Sequence, residues 1–111
     1  MVTLYTHEDR IDVTRSATGW GKLLLGDDNG AVKGFCMGVS VRTQKDYNAM
    51  DTHDDQEGFY ILEGTGLAKV GEEEFEVSPG SAFMVPAGVP HDIRCGADCP
   101  QIKALYAHGA I

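Results

Sequence analysis

The chain has 111 residues, the size of one small domain, and its 42% apolar fraction is ordinary for a globular protein. Its formal net charge is −8, from 17 acidic and 9 basic side chains. Such a surface repels phosphate backbones and anionic lipids, so we expect neither a nucleic-acid nor a membrane partner. The first ten residues contain no apolar signal-peptide core, and we expect a single domain over residues 1–111 in a soluble cytoplasmic protein.

The first thirty residues predict two short strands, a turn and one stretch without a clear period. Val2–Tyr5 predicts a short first strand, whereas Ile11–Trp20 has no clean period and contains the loop-like stretch 16–19. Lys22–Leu25 is a short apolar run between two glycines, which predicts a strand. The Asp-Asp-Asn-Gly sequence at 27–30 follows it and predicts a tight turn, because asparagine and glycine tolerate positive φ.

Val32–Thr43 is the longest strand candidate. Its residues alternate, with Phe35, Met37, Val39 and Val41 on one face and Cys36, Gly38, Ser40 and Arg42 on the other. A period of two residues is typical of a half-buried strand. We therefore expect the apolar face, with Met37, to belong to the core and the pocket wall.

The second half of the chain predicts six more short strands. They are Glu57–Leu62, Leu67–Val70, Glu74–Val77, Ser81–Val85, His91–Cys95 and Ile102–Ala107. Glycine, proline or asparagine separates most of them, and no segment keeps a helical period over three turns. About nine strands at this spacing predict an all-β sandwich or barrel.

Two histidines and a glutamate stand out in this pattern. Alternate side chains share a face of an extended strand, so His53 and Glu57 point the same way if the stretch is regular. His91 begins a later strand, and if the two strands pair or face each other, the three side chains converge. Two imidazoles and one carboxylate bind a divalent metal ion and leave positions open for water or substrate. Asp51, two residues before His53, could add a fourth ligand.

The spacing around these residues resembles that of the cupins. In the first cupin motif, the second histidine, the glutamate and the closing glycine match His53, Glu57 and Gly64. In the second motif, Gly80, Pro86, Gly88 and His91 all match. The resemblance covers residues 45–95, with 15 residues between the motifs as in compact members. It implies a double-stranded β-helix, or jelly-roll, barrel.

Three positions depart from the cupin motifs. Asp51 stands at the first histidine, Lys45 at the opening glycine and Cys95 at the closing asparagine. Asp51 either completes a site of two histidines and two carboxylates or turns to solvent, leaving His53, Glu57 and His91.

The resemblance implies a divalent ion in the barrel, either iron, zinc, manganese or nickel. It also implies an enzyme of the dioxygenase, isomerase or lyase type that acts on a small oxygen-bearing metabolite. The alternative is a non-catalytic barrel that binds or senses a small molecule such as a sugar. Cupins commonly pair their barrels, so we expect a homodimer.

The remaining candidates are weaker. Tyr47 precedes the site, and its phenol could act there as a general acid or base. His7 and His108 lie in no motif and near the termini, so we expect surface or hydrogen-bonded residues. Asp54 and Asp55 are expected to be solvated turn residues.

Overall fold

The computed structural model describes residues 2–48 and 50–109. In that part of the chain the regular elements are nine strands and two short 3₁₀ helices, Glu8–Arg10 and Asp27–Asn29. The strands are β1 (Thr14–Ser16), β2 (Gly19–Leu25), β3 (Cys36–Arg42), β4 (Gln56–Glu63), β5 (Gly66–Val70), β6 (Glu73–Val77), β7 (Ala82–Val85), β8 (His91–Cys95) and β9 (Ile102–Gly109). Over these residues, no helix is long and apolar enough to cross a membrane.

The strands form two antiparallel sheets. One has six strands in the order β1-β2-β3-β9-β4-β7, and the other has three in the order β6-β5-β8. Side chains of both sheets share one core, whose fully buried members include Ile61 on β4, Ile93 on β8 and Ile102 on β9. This arrangement confirms the predicted all-β jelly-roll barrel.

The strands from β4 onward begin and end within two residues of the predicted bounds, because glycine or proline lies at most of their ends. The N-terminal prediction was wrong in two places. Val2–Tyr5 forms no strand; Leu4 and Tyr5 are each 73% exposed. Strand β1 and the first three residues of β2 were not predicted; the loop-like stretch 16–19 contains the hairpin turn that joins these strands, and the Ser16 hydroxyl accepts a hydrogen bond from the Thr18 amide across it.

β3 begins at Cys36 rather than Val32, because Lys33 and Gly34 adopt φ values of 56° and 76°, which an extended strand does not allow. The side chains of β3 alternate as predicted, but the face predicted to point into the core points outward. Ser40 pairs with Ala104, a core residue of β9, so the face that carries Cys36, Gly38, Ser40 and Arg42 points into the barrel.

The apolar face of β3 lies on the outside of the sheet. Val39 and Val41 are nevertheless only 3% and 2% exposed. Lys22 and Lys103 flank them on that face, and the amines of both lysines contact Glu8, at 2.7 Å and 3.1 Å. The segment around Glu8 therefore lies over these valines and shields them in place of the barrel core that was predicted to cover this face.

Two neighbouring residues of β4 give a matched test of this core. Ile61 is 0% exposed, whereas Leu62 is 40% exposed on the opposite face. We expect Ile61→Ala to lower the free energy of unfolding by about 2–5 kcal/mol, because it removes buried methyl groups and leaves a cavity. Leu62→Ala should cost much less. Urea unfolding of both variants followed by circular dichroism measures the difference, and equal losses would contradict the assigned faces.

Candidate functional site

The site lies where the loop before β4 meets the start of β8. Nε2 of His53 is 2.9 Å from Oε1 of Glu57, and Nε2 of His91 is 3.2 Å from the same oxygen. The two imidazole rings have an edge-to-face arrangement with centroids 4.9 Å apart. Glu57 and His91 are only 7% and 3% exposed. The three predicted side chains therefore converge inside one end of the barrel.

A single turn fixes both histidines. The Pro86–Gly88 turn ends at Gly88, which has φ of 78°, and its amide donates to the carbonyl oxygen of His53 at 2.8 Å. Val89 follows, and its carbonyl oxygen accepts a hydrogen bond from Nδ1 of His91 at 3.0 Å. The Pro-x-Gly spacing thus places the loop of His53 and orients the ring of His91.

Both imidazoles present Nε2 to the centre of the cluster. Nδ1 of His53 lies 3.0 Å from the Asp55 carbonyl oxygen and 2.7 Å from the Asp55 carboxylate. A carbonyl oxygen can only accept, so Nδ1 carries a proton in His53, as it does in His91. Second acceptors of this kind are what fix the tautomer and orientation of metal-binding imidazoles.

The pKa values follow from this geometry. Burial lowers the pKa of His53 and of His91, but hydrogen bonds to Glu57 and to backbone carbonyls outweigh it, and both pKa values lie above 6.5. Burial raises the pKa of Glu57, yet the hydrogen bonds from His91 and His53 bring it below 4.5. The cluster is therefore a buried carboxylate paired with two imidazole rings, and this pairing favours the charged form of all three groups.

Asp55 and His108 extend the cluster. Oδ2 of Asp55 is 2.7 Å from Nδ1 of His108, and Nε2 of His108 is 3.1 Å from the sulfur of Cys36. The ring of His108 stacks on that of His53 at 5.2 Å between centroids. Two sets of donor atoms, each within 4.8 Å, result: His53 with Glu57 and His91, and His53 with Asp55 and His108.

The sequence interpretation missed both of these residues. Asp55 is half-buried and bridges two imidazoles, so its assignment as a solvated turn residue was wrong. His108 was treated as a terminal histidine, but it is at the fourth position of the alternating series Ile102, Ala104, Tyr106 and His108 on β9. That period was visible in the sequence and places His108 inside the barrel.

Tyr106, on the same face of β9, places a phenol beside His108. Its ring stacks on His108 with centroids 5.8 Å apart. Burial, followed by the neighbouring Cys36 and Glu57, raises the pKa of Tyr106, so the phenol keeps its proton.

The structure does not bring Tyr47 or Asp51 into the cluster. The Tyr47 hydroxyl donates to Glu74 at 2.8 Å, and its ring lies 5.3 Å from the Arg94 guanidinium carbon. Both partners occupy outward positions, opposite in parity to Phe75 and Ile93, so Tyr47 lies on the outside of the smaller sheet. Asp51 pairs with His91 through the backbone, but its exposed carboxylate belongs to neither set of donor atoms.

A family model described as a cupin domain matches residues 39–104, more than half of the chain. An uncharacterized protein of Methanocaldococcus jannaschii, MJ1618, is 44% identical over 39 residues, which are 35% of this chain and 31% of that protein. The match thus spans about a third of the curated relative's length.

Solved structures resemble nearly the whole chain. An ectoine synthase from P. lautus has a TM-score of 0.79 and 18% identity, over 94% of this chain and 75% of that one. The polyketide cyclase RemF from Streptomyces resistomycificus has a TM-score of 0.77 and 20% identity, over 94% of this chain and 77% of that one. A structure described as FeII HppE has a TM-score of 0.80 and 16% identity, over 96% of this chain and 60% of that one. The TM-scores of these structures show a shared fold. The cupin-domain model, which matches more than half of the chain, shows that the chain belongs to the cupin family.

Proposed function

We propose that this protein is a metal-dependent enzyme that acts on a small oxygen-bearing metabolite, with a divalent ion held by His53, Glu57 and His91. One observation carries the proposal. Two Nε2 atoms and one carboxylate oxygen lie within 4.8 Å of one another, and both imidazoles are fixed through Nδ1. No ordinary core requires two histidines and a glutamate to converge in this way, since burying them costs free energy unless they are paired.

The donor set fits a divalent first-row metal. Imidazole nitrogen and carboxylate oxygen suit iron, zinc, manganese and nickel, and three protein ligands leave positions for substrate. The ion would polarise or activate a bound oxygen atom of the substrate. Around it, Asp55 holds the ring of His53, and Val89 holds the ring of His91. The barrel wall, which includes Phe59 and Val85, excludes bulk water from the buried side of the site.

The second set of donor atoms supports this arrangement rather than competing with it. Each oxygen of Asp55 is already paired with one imidazole, His53 or His108. His53, Asp55 and His108 are all only half-buried, whereas Glu57 and His91 are buried. We therefore assign Asp55 and His108 to orienting His53 and not to a separate ion.

The names of the structural relatives agree with enzymatic chemistry in this fold. Two are described as a synthase and a cyclase, and the third is described with FeII. Their activities belong to those proteins, and at 20% identity or less they do not transfer. They do support placing catalysis, rather than only sensing, in this barrel.

Metal binding tests the assignment directly. Protein purified without chelator, or reconstituted with iron, zinc, manganese or nickel, should hold about one ion per chain by elemental analysis. His53→Ala and His91→Ala should lose it, whereas His7→Ala, which changes an exposed histidine outside the cluster, should keep it. Asp55→Asn should weaken the affinity about 10- to 100-fold, because it releases the ring of His53.

The controls separate the possible outcomes. Asp51→Asn should leave the affinity unchanged, since the Asp51 carboxylate lies outside the donor set. Binding that survives in both histidine variants would refute the site. Failure of all four metals to bind the wild-type protein would refute the proposal and favour the non-catalytic sensing barrel.

Metal affinity should also depend on pH. Each Nε2 must release its proton before it can bind an ion, and the pKa values of His53 and His91 are above 6.5. Affinity should therefore keep rising as the pH increases past 6.5. Glu57 has a lowered pKa and stays ionised over this range. Chelator competition at several pH values, with calorimetry in buffers of different ionisation enthalpy, measures the affinity and the released protons. A constant affinity across pH 6.5 would contradict this interpretation.

We also propose that the protein is a homodimer. Tyr60 on β4 and Met84 on the edge strand β7 are 46% and 56% exposed on the outer sheet face, next to Gly58, Ala82 and Ala107. Exposed apolar patches and unpaired edges favour association. Light scattering at micromolar concentration should give twice the chain mass. Met84→Lys should lower it, and Leu4→Lys, at an exposed site elsewhere, should not. A monomeric wild-type mass would contradict the proposal.

A further inference from the structure

A thiol lies at the outer end of the hydrogen-bonded series that begins at His53. Sγ of Cys36 is 3.1 Å from Nε2 of His108, and Nδ1 of the same ring is 2.7 Å from Oδ2 of Asp55. The other oxygen of Asp55 is 2.7 Å from Nδ1 of His53. The proposed function assigns roles to Asp55 and His108 but leaves the thiol of Cys36 unused.

The pairing of three strands places the thiol in one row with the cluster. Cys36 on β3 lies opposite His108 on β9, and Glu57 on β4 lies opposite His108 on its other side. All three residues occupy inward positions of their strands, and residues directly opposite each other on one face of a sheet are in contact. Strand register, and not a flexible loop, therefore brings the thiol to the imidazole.

Ring stacking fixes the plane of His108 but not the direction of its nitrogens. The ring lies between those of Tyr106 and His53, with centroid distances of 5.8 Å and 5.2 Å and interplanar angles of 27° and 23°. A half-turn of the ring about its bond to Cβ keeps both stacks, because the plane does not change. That half-turn places carbon atoms where the two nitrogens were, so the hydrogen bonds with Asp55 and Cys36 select the observed orientation.

The thiol is the donor in its contact with His108. Burial raises the pKa of Cys36, so the thiol keeps its proton. Asp55 faces two imidazole Nδ1 atoms, and because a carboxylate only accepts, Nδ1 of His108 carries a proton. Nε2 of the neutral ring is then an acceptor, and the S–H group of Cys36 donates to it. The thiol thus favours the tautomer that the hydrogen bond to Asp55 requires.

We infer that Cys36 is a positioning residue of the site, and that its S–H group holds His108 in the orientation and tautomer that pair with Asp55. Asp55 in turn holds the imidazole of His53. An alkyl side chain at position 36 would fill the same space but would leave Nε2 of His108 without this donor. The consequence for metal binding rests on the proposed function, whereas the orientation of the rings does not.

Two substitutions at position 36 separate hydrogen bonding from packing. Cys36→Ser keeps a donor, whereas Cys36→Val removes the donor and keeps an apolar side chain. In metal-free protein, at a pH well above the ordinary pKa of histidine, proton–nitrogen correlation spectra report which nitrogen of His108 carries the proton. We expect the Nδ1–H form in the wild type and in Cys36→Ser, and a mixture of tautomers in Cys36→Val. A wild-type His108 protonated at Nε2, or unchanged His108 signals in Cys36→Val, would overturn the inference.

Zinc affinity, measured by chelator competition, tests the effect on the site. We expect Cys36→Val to weaken zinc binding about 2- to 5-fold, the effect of one neutral hydrogen bond, and Cys36→Ser to bind nearly as well as the wild type. His108→Phe keeps a stacking ring without nitrogens, and in that background Cys36→Val should have no further effect, because the thiol acts through His108. A full additional loss in that background contradicts the positioning role, as does a serine variant that binds as weakly as the valine variant.

Cys95 provides the matched control. Its thiol donates to the carbonyl oxygen of Arg42 at 3.1 Å, outside the series that reaches His53. Cys95→Val should leave the His108 spectrum and the zinc affinity unchanged, and circular dichroism confirms that each variant is folded. An equal change in Cys95→Val would show a general effect of the substitution and would overturn the inference. If the wild type binds no zinc or other metal, the proposed function fails, and the spectra of the metal-free variants still decide the role of Cys36.

Discussion

The Glu57 carboxylate is the constraint on which the site depends. It is 7% exposed, and its Oε1 lies within 3.2 Å of two imidazole nitrogens. A buried carboxylate without partners would be protonated or would destabilise the fold, so the two histidines are required even where no ion is considered. The same pairing raises the pKa values of His53 and His91. In place of two protons, a divalent ion at the proposed site would satisfy all three groups at once.

The groups around Glu57 form a hydrogen-bonded network that extends outward from the two imidazoles. Val89 and Asp55 fix the outer nitrogens of the two imidazoles, and His108 in turn fixes Asp55. Each group in this series therefore has its hydrogen-bonding atoms paired with the group next to it. Such networks specify a single orientation of the inner side chains more strictly than packing does, because a misplaced member leaves a buried polar group unpaired. The orientation of His53 therefore depends on a residue 55 positions away, which only the pairing of β4 with β9 brings close.

Much of this could be predicted from the sequence, and the failures have physical reasons. His53, Glu57 and His91 were identified from local spacing, because strand alternation and the Pro-x-Gly turn act over a few residues. His108 was missed because its role depends on strand pairing between distant segments, although its own alternation placed it inward. Tyr47 was misplaced because the side of the sheet that a loop crosses is set by contacts such as that with Glu74, which no local pattern encodes.

The reversed face of β3 shows most clearly what local patterns leave undetermined. An alternating strand can bury its apolar face on either side of a sheet, and in this protein the segment around Glu8 lies over that face on the outside. Lys22 and Lys103 hold Glu8 across Val39 and Val41, which leaves Ser40 and Arg42 to face the barrel interior. The segment around Glu8 thereby decides which face of β3 lines the barrel interior.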